Sequence, residues 1–125
     1  MTLIQAIQEF DALCRNEVTI EQKIKWISEL DEKISSDYLE VRGYETFDGY
    51  SGRCSLDVEL KAPAEYREIY SIYLNMKLDY MNGEITRFNN SAMIFNRLYK
   101  EMGDAINRKI KVKANTKIKA GDLYV

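Results

Sequence analysis

Seven apolar residues, Ile85, Phe88, Ala92, Phe95, Tyr99, Met102 and Ile106, recur at spacings that alternate between three and four without a break. Only an α-helix brings residues so spaced onto one face. A helix over residues 85–106 is about 33 Å long at about 1.5 Å per residue, and it must find other elements to cover its stripe. Asn82 and Gly83 stand just before it. Both tolerate left-handed backbone, so they suit the end of a preceding helix, and so short a turn makes the two helices antiparallel.

That preceding helix is predicted over residues 63–81. Pro63 fits its first position, because the amide hydrogen that proline lacks is one a helix start leaves unpaired anyway. Tyr66, Ile69, Tyr73, Met76 and Tyr80 form one row along it, and Tyr70, Leu74, Leu78 and Met81 form a second. Two apolar rows exceed what one packed face requires. The helix is therefore either central in its own domain or covered by another subunit.

Two shorter helices are expected upstream. Thr2 can cap the first, over residues 2–14, where Leu3, Ile7, Phe10 and Cys14 share a face. Thr19 can cap the second, with Gln22 completing a capping-box pattern and Ile20, Ile24, Ile27, Leu30 and Ile34 as its stripe. Trp26 lies off that stripe, so it either widens the buried face or stands exposed as an anchor for a partner. Over residues 39–61 the helical period fails, and the glycines and aspartate between Gly43 and Gly52 are turn formers. Cys54, Leu56, Val58 and Leu60 then alternate with polar residues, the period of a strand with one buried face.

The expected fold is thus mainly α: a bundle of about four helices, a short β-hairpin or strand insertion between helices 2 and 3, and an extended C-terminal tail. With 125 residues, one proline and six glycines, the chain has room for one modest core and too few turn formers for a β-sandwich. The helical domain is assigned to residues 1–107, including the insertion at 39–61, and the tail to residues 108–125. No apolar run approaches a membrane span, and Met1-Thr2-Leu3-Ile4-Gln5 lacks the basic start of a secretion signal, so a cytoplasmic protein is expected.

The chain holds no histidine, the commonest general base and the commonest zinc ligand. Its two cysteines, Cys14 and Cys54, belong to no disulfide framework and favour free thiols. No phosphate-binding or dinucleotide glycine motif is present, and Ser51 and Ser55 lack the flanks of a nucleophile elbow. The carboxylate pairs Asp31-Glu32 and Glu65 with Glu68 lie beside Lys33 and Arg67 and read as solvated helix faces. The run Gly49-Tyr50-Ser51-Gly52-Arg53 could cradle an anion or be an ordinary turn. We expect neither an enzyme nor a cofactor or metal site.

Charge and aromatic content are the more informative features. Residues 106–125 carry six cations against one acid, Asp122, so of a net charge of −2 the rest of the chain carries −7. In the tail, Ile110, Val112 and Ile118 alternate with the basic residues Lys111, Lys113, Lys117 and Lys119, which suits a strand added to a partner protein better than a pure phosphate binder. Arg108, Lys109, Lys111, Val112, Lys113, Lys117, Ile118 and Lys119 are the candidate docking residues. Four of the nine tyrosines, Tyr66, Tyr70, Tyr73 and Tyr80, fall on the third helix. Their amphipathic rings suit either subunit contacts or a core with its hydroxyls reaching the surface.

Three stretches resemble one family. They are Gln22-Lys23-Ile24-Lys25-Trp26-Ile27-Ser28-Glu29-Leu30-Asp31; then Ala62-Pro63-Ala64-Glu65-Tyr66 with Ile69-Tyr70 and Tyr73-Leu74; and Asp79-Tyr80-Met81-Asn82-Gly83-Glu84 continuing to Arg87-Phe88-Asn89-Asn90-Ser91 and Phe95-Asn96. Together they are similar to small head-tail connector, or adaptor, proteins of phages and prophages of Gram-positive bacteria, over roughly residues 2–102. The resemblance implies a helical bundle that assembles as a dodecameric ring beneath the portal protein, meets the next neck or tail protein, and lets DNA through its channel without reading sequence. It implies residence at the head-tail junction of the virion and, during assembly, in the host cytoplasm. The block Asn82, Gly83, Glu84, Arg87, Asn89, Asn90 and Ser91 carries most of the likeness. Its residue types point to a conformational role, with Asn82 and Gly83 closing a helix and Asn89 and Asn90 satisfying backbone groups nearby. The alternatives are a helical regulator that binds one phage or host protein, or a weak nucleic-acid binder using the tail.

Overall fold

The computed structural model describes residues 1–50 and 55–109 and has four α-helices: α1 Leu3–Leu13, α2 Ile20–Ile34, α3 Ile69–Met81 and α4 Ile85–Lys109. Both threonines cap their helices, but only Thr2 forms a complete capping box; at Thr19 the return bond from Gln22 is absent. Thr2 accepts from the Gln5 amide while the Gln5 side chain returns to the Thr2 amide, a reciprocal capping box. Thr19 accepts from the Gln22 amide at 3.1 Å. Helix α1 buries Leu3, Ala6, Ile7 and Phe10, and α2 buries Ile24, Ile27, Leu30 and Ile34. Trp26 is 7% exposed and joins this core, so it widens the buried face.

Helix α2 does not stop at Ile34. It loosens into a π-turn, Ser35–Leu39, tightens into a 3-10 turn, Glu40–Arg42, and ends at Gly43, whose φ of 86° only glycine adopts without cost. After Pro63, a 3-10 turn, Ala64–Tyr66, leads into α3. Helix α3 packs against α1, α2 and α4, which makes it central and accounts for its two apolar rows. Leu74 and Leu78 serve the core from one side while Tyr73 and Met76 are only partly buried.

The turn at Asn82-Gly83 takes the form its sequence suggests. Gly83 has φ 71°, its amide donates to the Tyr80 carbonyl, and the Glu84 amide donates to the Asp79 carbonyl at 2.9 Å. Those two bonds define a Schellman motif and satisfy carbonyls that a helix end leaves open. Helix α4 then runs back along α3. A ladder of rings fills their seam: Tyr80 against Phe88, Tyr73 against Phe95, Phe95 against Tyr99, and Tyr99 against Tyr38 from the π-turn. The stripe that sets this helix begins one turn later than its sequence implies, because Ile85 is 59% exposed.

The expected β-hairpin or strand insertion is not present among the described residues. Residues 55–62 cross the start of α1 with a single antiparallel bridge between Thr2 and Glu59. The Leu60 amide donates to the Met1 carbonyl, and the Leu3 and Ile4 amides donate to the Val58 and Leu56 carbonyls. The alternation holds over residues 57–60, where Leu60 is buried and Val58 half-buried while Asp57 and Glu59 are exposed, but it fails at Leu56, which is exposed. A strand also needs a partner of similar length, and here the partner turns into helix after Thr2. Cys54 lies outside the described residues. The tail boundary moves too: Arg108 and Lys109 form the last turn of α4, where their charge complements the helix dipole.

Candidate assembly surfaces

The side chains that sequence alone places on a wet face include the most buried charge among the described residues. Asp31 is 0% exposed. It sits four residues after Ile27 and three before Ile34, inside the apolar stripe, and α3 and the 59–62 segment close over it. Its two oxygens accept from the Tyr70 hydroxyl at 2.6 Å, the Tyr50 hydroxyl at 2.5 Å and the Lys61 amide at 3.1 Å. The Tyr70 hydroxyl in turn accepts from the Ala62 amide at 2.8 Å. Burial raises the Asp31 pKa above the ordinary carboxylate value, against the pull of these hydrogen bonds. Burial and the neighbouring Asp31 charge push the Tyr70 hydroxyl well above its ordinary value. This arrangement holds α2, α3 and both ends of the 50–62 connection together; it has no open face for a substrate. Glu32, Glu65 and Glu68, by contrast, are exposed as the solvated-face reading requires.

The four tyrosines of the third helix and its approach separate accordingly. Tyr70, 1% exposed, belongs to the core of its own subunit. Tyr66 is partly buried against that core, and Tyr73 rests on Phe95 with Lys77 over its ring. Only Tyr80, 66% exposed, offers a broad free surface. Tyr99, a member of the α4 stripe, is tied down by donating to Asp37 at 2.6 Å, and burial together with that bond raises its pKa.

Tyr80 is part of a patch. Met81, Ile85 and Met93 are 56, 59 and 72% exposed, and Ile94 is 44% exposed, all on the α3–α4 turn or the first half of α4. Asn89 and Asn90 lie exposed on the same helix and make no side-chain hydrogen bond among the described residues. The turn needs no help from them, because its backbone donors already satisfy it. Ser91 is the member of the 82–91 block that bonds inward, within 3.4 Å of both Asp79 and Asn75. Arg87 and Glu84 are exposed.

A second surface lies beside α2. Glu21, Lys25, Glu29, Glu32 and Asp48 rim a groove of about 470 Å³ floored by Ile24, Ser28, Gly49 and Tyr50. Gly49 has φ 99° and lies against the Glu32 and Ser28 side chains. Ser28 exchanges hydrogen bonds with the Tyr50 backbone through both its amide and its carbonyl. The Tyr50 amide is thus engaged within the fold, and an acid stands beside it, which disfavours an anion at this turn; Ser51, Gly52 and Arg53 lie outside the described residues.

Of the docking residues in the tail, only Arg108 and Lys109 are described. Arg108 is exposed, and Lys109 pairs with Glu65 at 2.5 Å. Lys111, Val112, Lys113, Lys117, Ile118 and Lys119 lie outside the described residues. Cys14 is a half-buried thiol near Asn75 and lines a pocket of about 240 Å³ with Phe10, Leu13, Ser71 and Ile72. Among the described residues, no helix is long and apolar enough to cross a membrane, and no group of three or more acidic or thiol side chains is placed to hold a metal. No protein-family model, no curated protein and no solved structure matches this chain.

Proposed function

We propose that this protein is a structural subunit of a phage neck, a head-tail connector that forms a ring, docks beneath the portal and continues the DNA channel to the tail. The exposed apolar patch of Tyr80, Met81, Ile85, Met93 and Ile94 carries this reading. These side chains sit on a helical hairpin whose seam is filled with aromatic rings, so the patch is presented on a rigid support. Exposed apolar side chains on a small protein cost solubility unless something covers them, and a neighbouring subunit is the cover that an assembly part supplies. The likeness of the 82–91 block to connectors points the same way. The subunit works by shape and contact, without catalysis or cofactor, and the basic tail extends its docking surface towards the portal.

Native mass spectrometry of the protein with a purified phage portal protein tests the proposal. A closed multi-subunit ring, free or seated on portal, is the expected species. A chain that stays monomeric and leaves portal unoccupied at micromolar concentration overturns it. Steeply salt-dependent DNA binding by such a monomer would favour the nucleic-acid alternative.

A further inference from the structure

We infer that two unlike faces of the subunit are the two halves of one head-to-tail contact, in which the outer face of α4 around Met93, Ile94 and Arg97 seats in the acidic α2 groove of a second copy. The inference rests on the ring reading and names the surfaces that build the ring. From Ile85 to Lys100, α4 carries Arg87, Arg97 and Lys100 and no acid. All three cations are exposed, and none enters an ion pair or hydrogen bond among the described residues. Asn90, Met93, Ile94 and Arg97 form a continuous exposed strip on this face.

The α2 groove has the complementary chemistry. Four carboxylates face one ammonium there, and of the four only Glu29 is paired, with Lys77 at 3.2 Å. Glu21, Glu32 and Asp48 enter no ion pair or hydrogen bond among the described residues. Ile24, only 6% exposed, and Tyr50 line the groove between these carboxylates. Three uncommitted cations beside two exposed apolar side chains therefore find three uncommitted carboxylates around the groove.

Charge selects which patches meet. Setting like patches together would place cation on cation or acid on acid, which costs several kcal/mol. Pairing the unlike patches removes that repulsion. Helices α2 and α4 each pack on α3, and the two patches share no residue: α2 and residues 48–50 line the groove, and α4 alone carries the strip. A contact between unlike patches is heterologous, and copies joined that way close into a ring when the rotation between neighbours allows.

A charge-swap pair tests this. One variant carries Arg97→Glu and Lys100→Glu; the other carries Glu32→Lys and Asp48→Lys. All four positions are exposed, and unchanged circular dichroism and thermal unfolding would confirm that both variants fold. Each variant alone should self-associate about a hundredfold more weakly than wild type, measured by sedimentation and native mass spectrometry with and without portal. Mixed in equal amounts they should assemble again, because each now offers a ridge that matches the other's groove, and the rings should hold the two variants in equal number. Rings formed by either variant alone as readily as by wild type, or a mixture that fails to assemble, would overturn the pairing while leaving the ring itself standing. Variants that still form rings but no longer bind portal would assign the faces to portal and overturn the pairing equally. A wild-type chain that forms no ring under any of these conditions removes both this inference and the function proposed above.

Discussion

The two ends of the α3–α4 hairpin are built on opposite principles. At the end where α3 begins, Asp31 collects three hydrogen bonds in a site closed to water, and Tyr70 passes one of them on to Ala62. At the other end, beyond Tyr80, apolar side chains face outward, and Arg87, Arg97 and Lys100 enter no ion pair among the described residues. A buried, fully bonded acid commits its surroundings to a single arrangement, since opening any part leaves donors unsatisfied in the interior. An exposed apolar and basic surface commits to nothing inside the chain and keeps its free energy for a neighbour. One end specifies the fold, and the other is open to assembly.

The sharpest way to break this contrast is Asp31→Ala. It leaves the Tyr50 and Tyr70 hydroxyls and the Lys61 amide without their acceptor, and we expect a loss of about 3–5 kcal/mol in urea unfolding. A loss under about 1 kcal/mol would mean that water reaches the site. Next is Gly103→Ala. The Tyr38 ring lies against the α4 backbone at Gly103, where a methyl group would overlap it, so about 1–3 kcal/mol should be lost as that half-buried ring shifts. At the other end, Gly83→Ala meets open space but must hold φ at 71°, a cost of about 1 kcal/mol that a thermal melt would register.

The pH dependence sharpens the same comparison. Because burial raises the folded pKa of Asp31 above its unfolded value, the folded state holds that proton more tightly. The contribution of Asp31 to stability is therefore greatest below the unfolded pKa near 3.8 and declines as pH rises through the folded value. The stability of wild type relative to Asp31→Asn, followed by urea titration at several pH values, should fall in that direction; a flat difference would remove the desolvation argument. The smallest effect on folding should come from Met93→Ser, within about 0.5 kcal/mol of wild type, because the side chain is 72% exposed. If Met93→Ser destabilised the monomer as much as Gly103→Ala, the tip would belong to the fold and the contrast would fail.

Much of the tip was legible from the chain alone. The three-four alternation gave α4, Asn82-Gly83 marked the end of its partner helix, and Thr2 and Thr19 marked the two upstream starts; Pro63 opens only a 3-10 turn, and α3 itself begins six residues later at Ile69. These are local signals, settled within one or two helical turns. The 54–61 alternation misled because a strand is a relation between two segments, and the second segment here is two residues long before α1 begins. Asp31 was misread beside Glu32 and Lys33, although its spacing from Ile27 and Ile34 already placed it within the stripe. The hydroxyls of Tyr50 and Tyr70 and the Lys61 amide, 19, 39 and 30 residues away, make its burial tolerable.

The sequence by itself determined that four helices form, where α1, α2 and α4 begin and which side of each is apolar, because those properties follow from spacing and capping over a few residues; the start of α3 at Ile69 was decided by the tertiary structure. The tertiary structure alone decided which apolar residues are used up inside the subunit. Tyr70 and Tyr80 occupy the same helix and look equally suited to an interface, yet one is sealed beneath Asp31 and the other stands in the open. Burial depends on what arrives from elsewhere in the chain, and a helix pattern cannot say where the covering elements end.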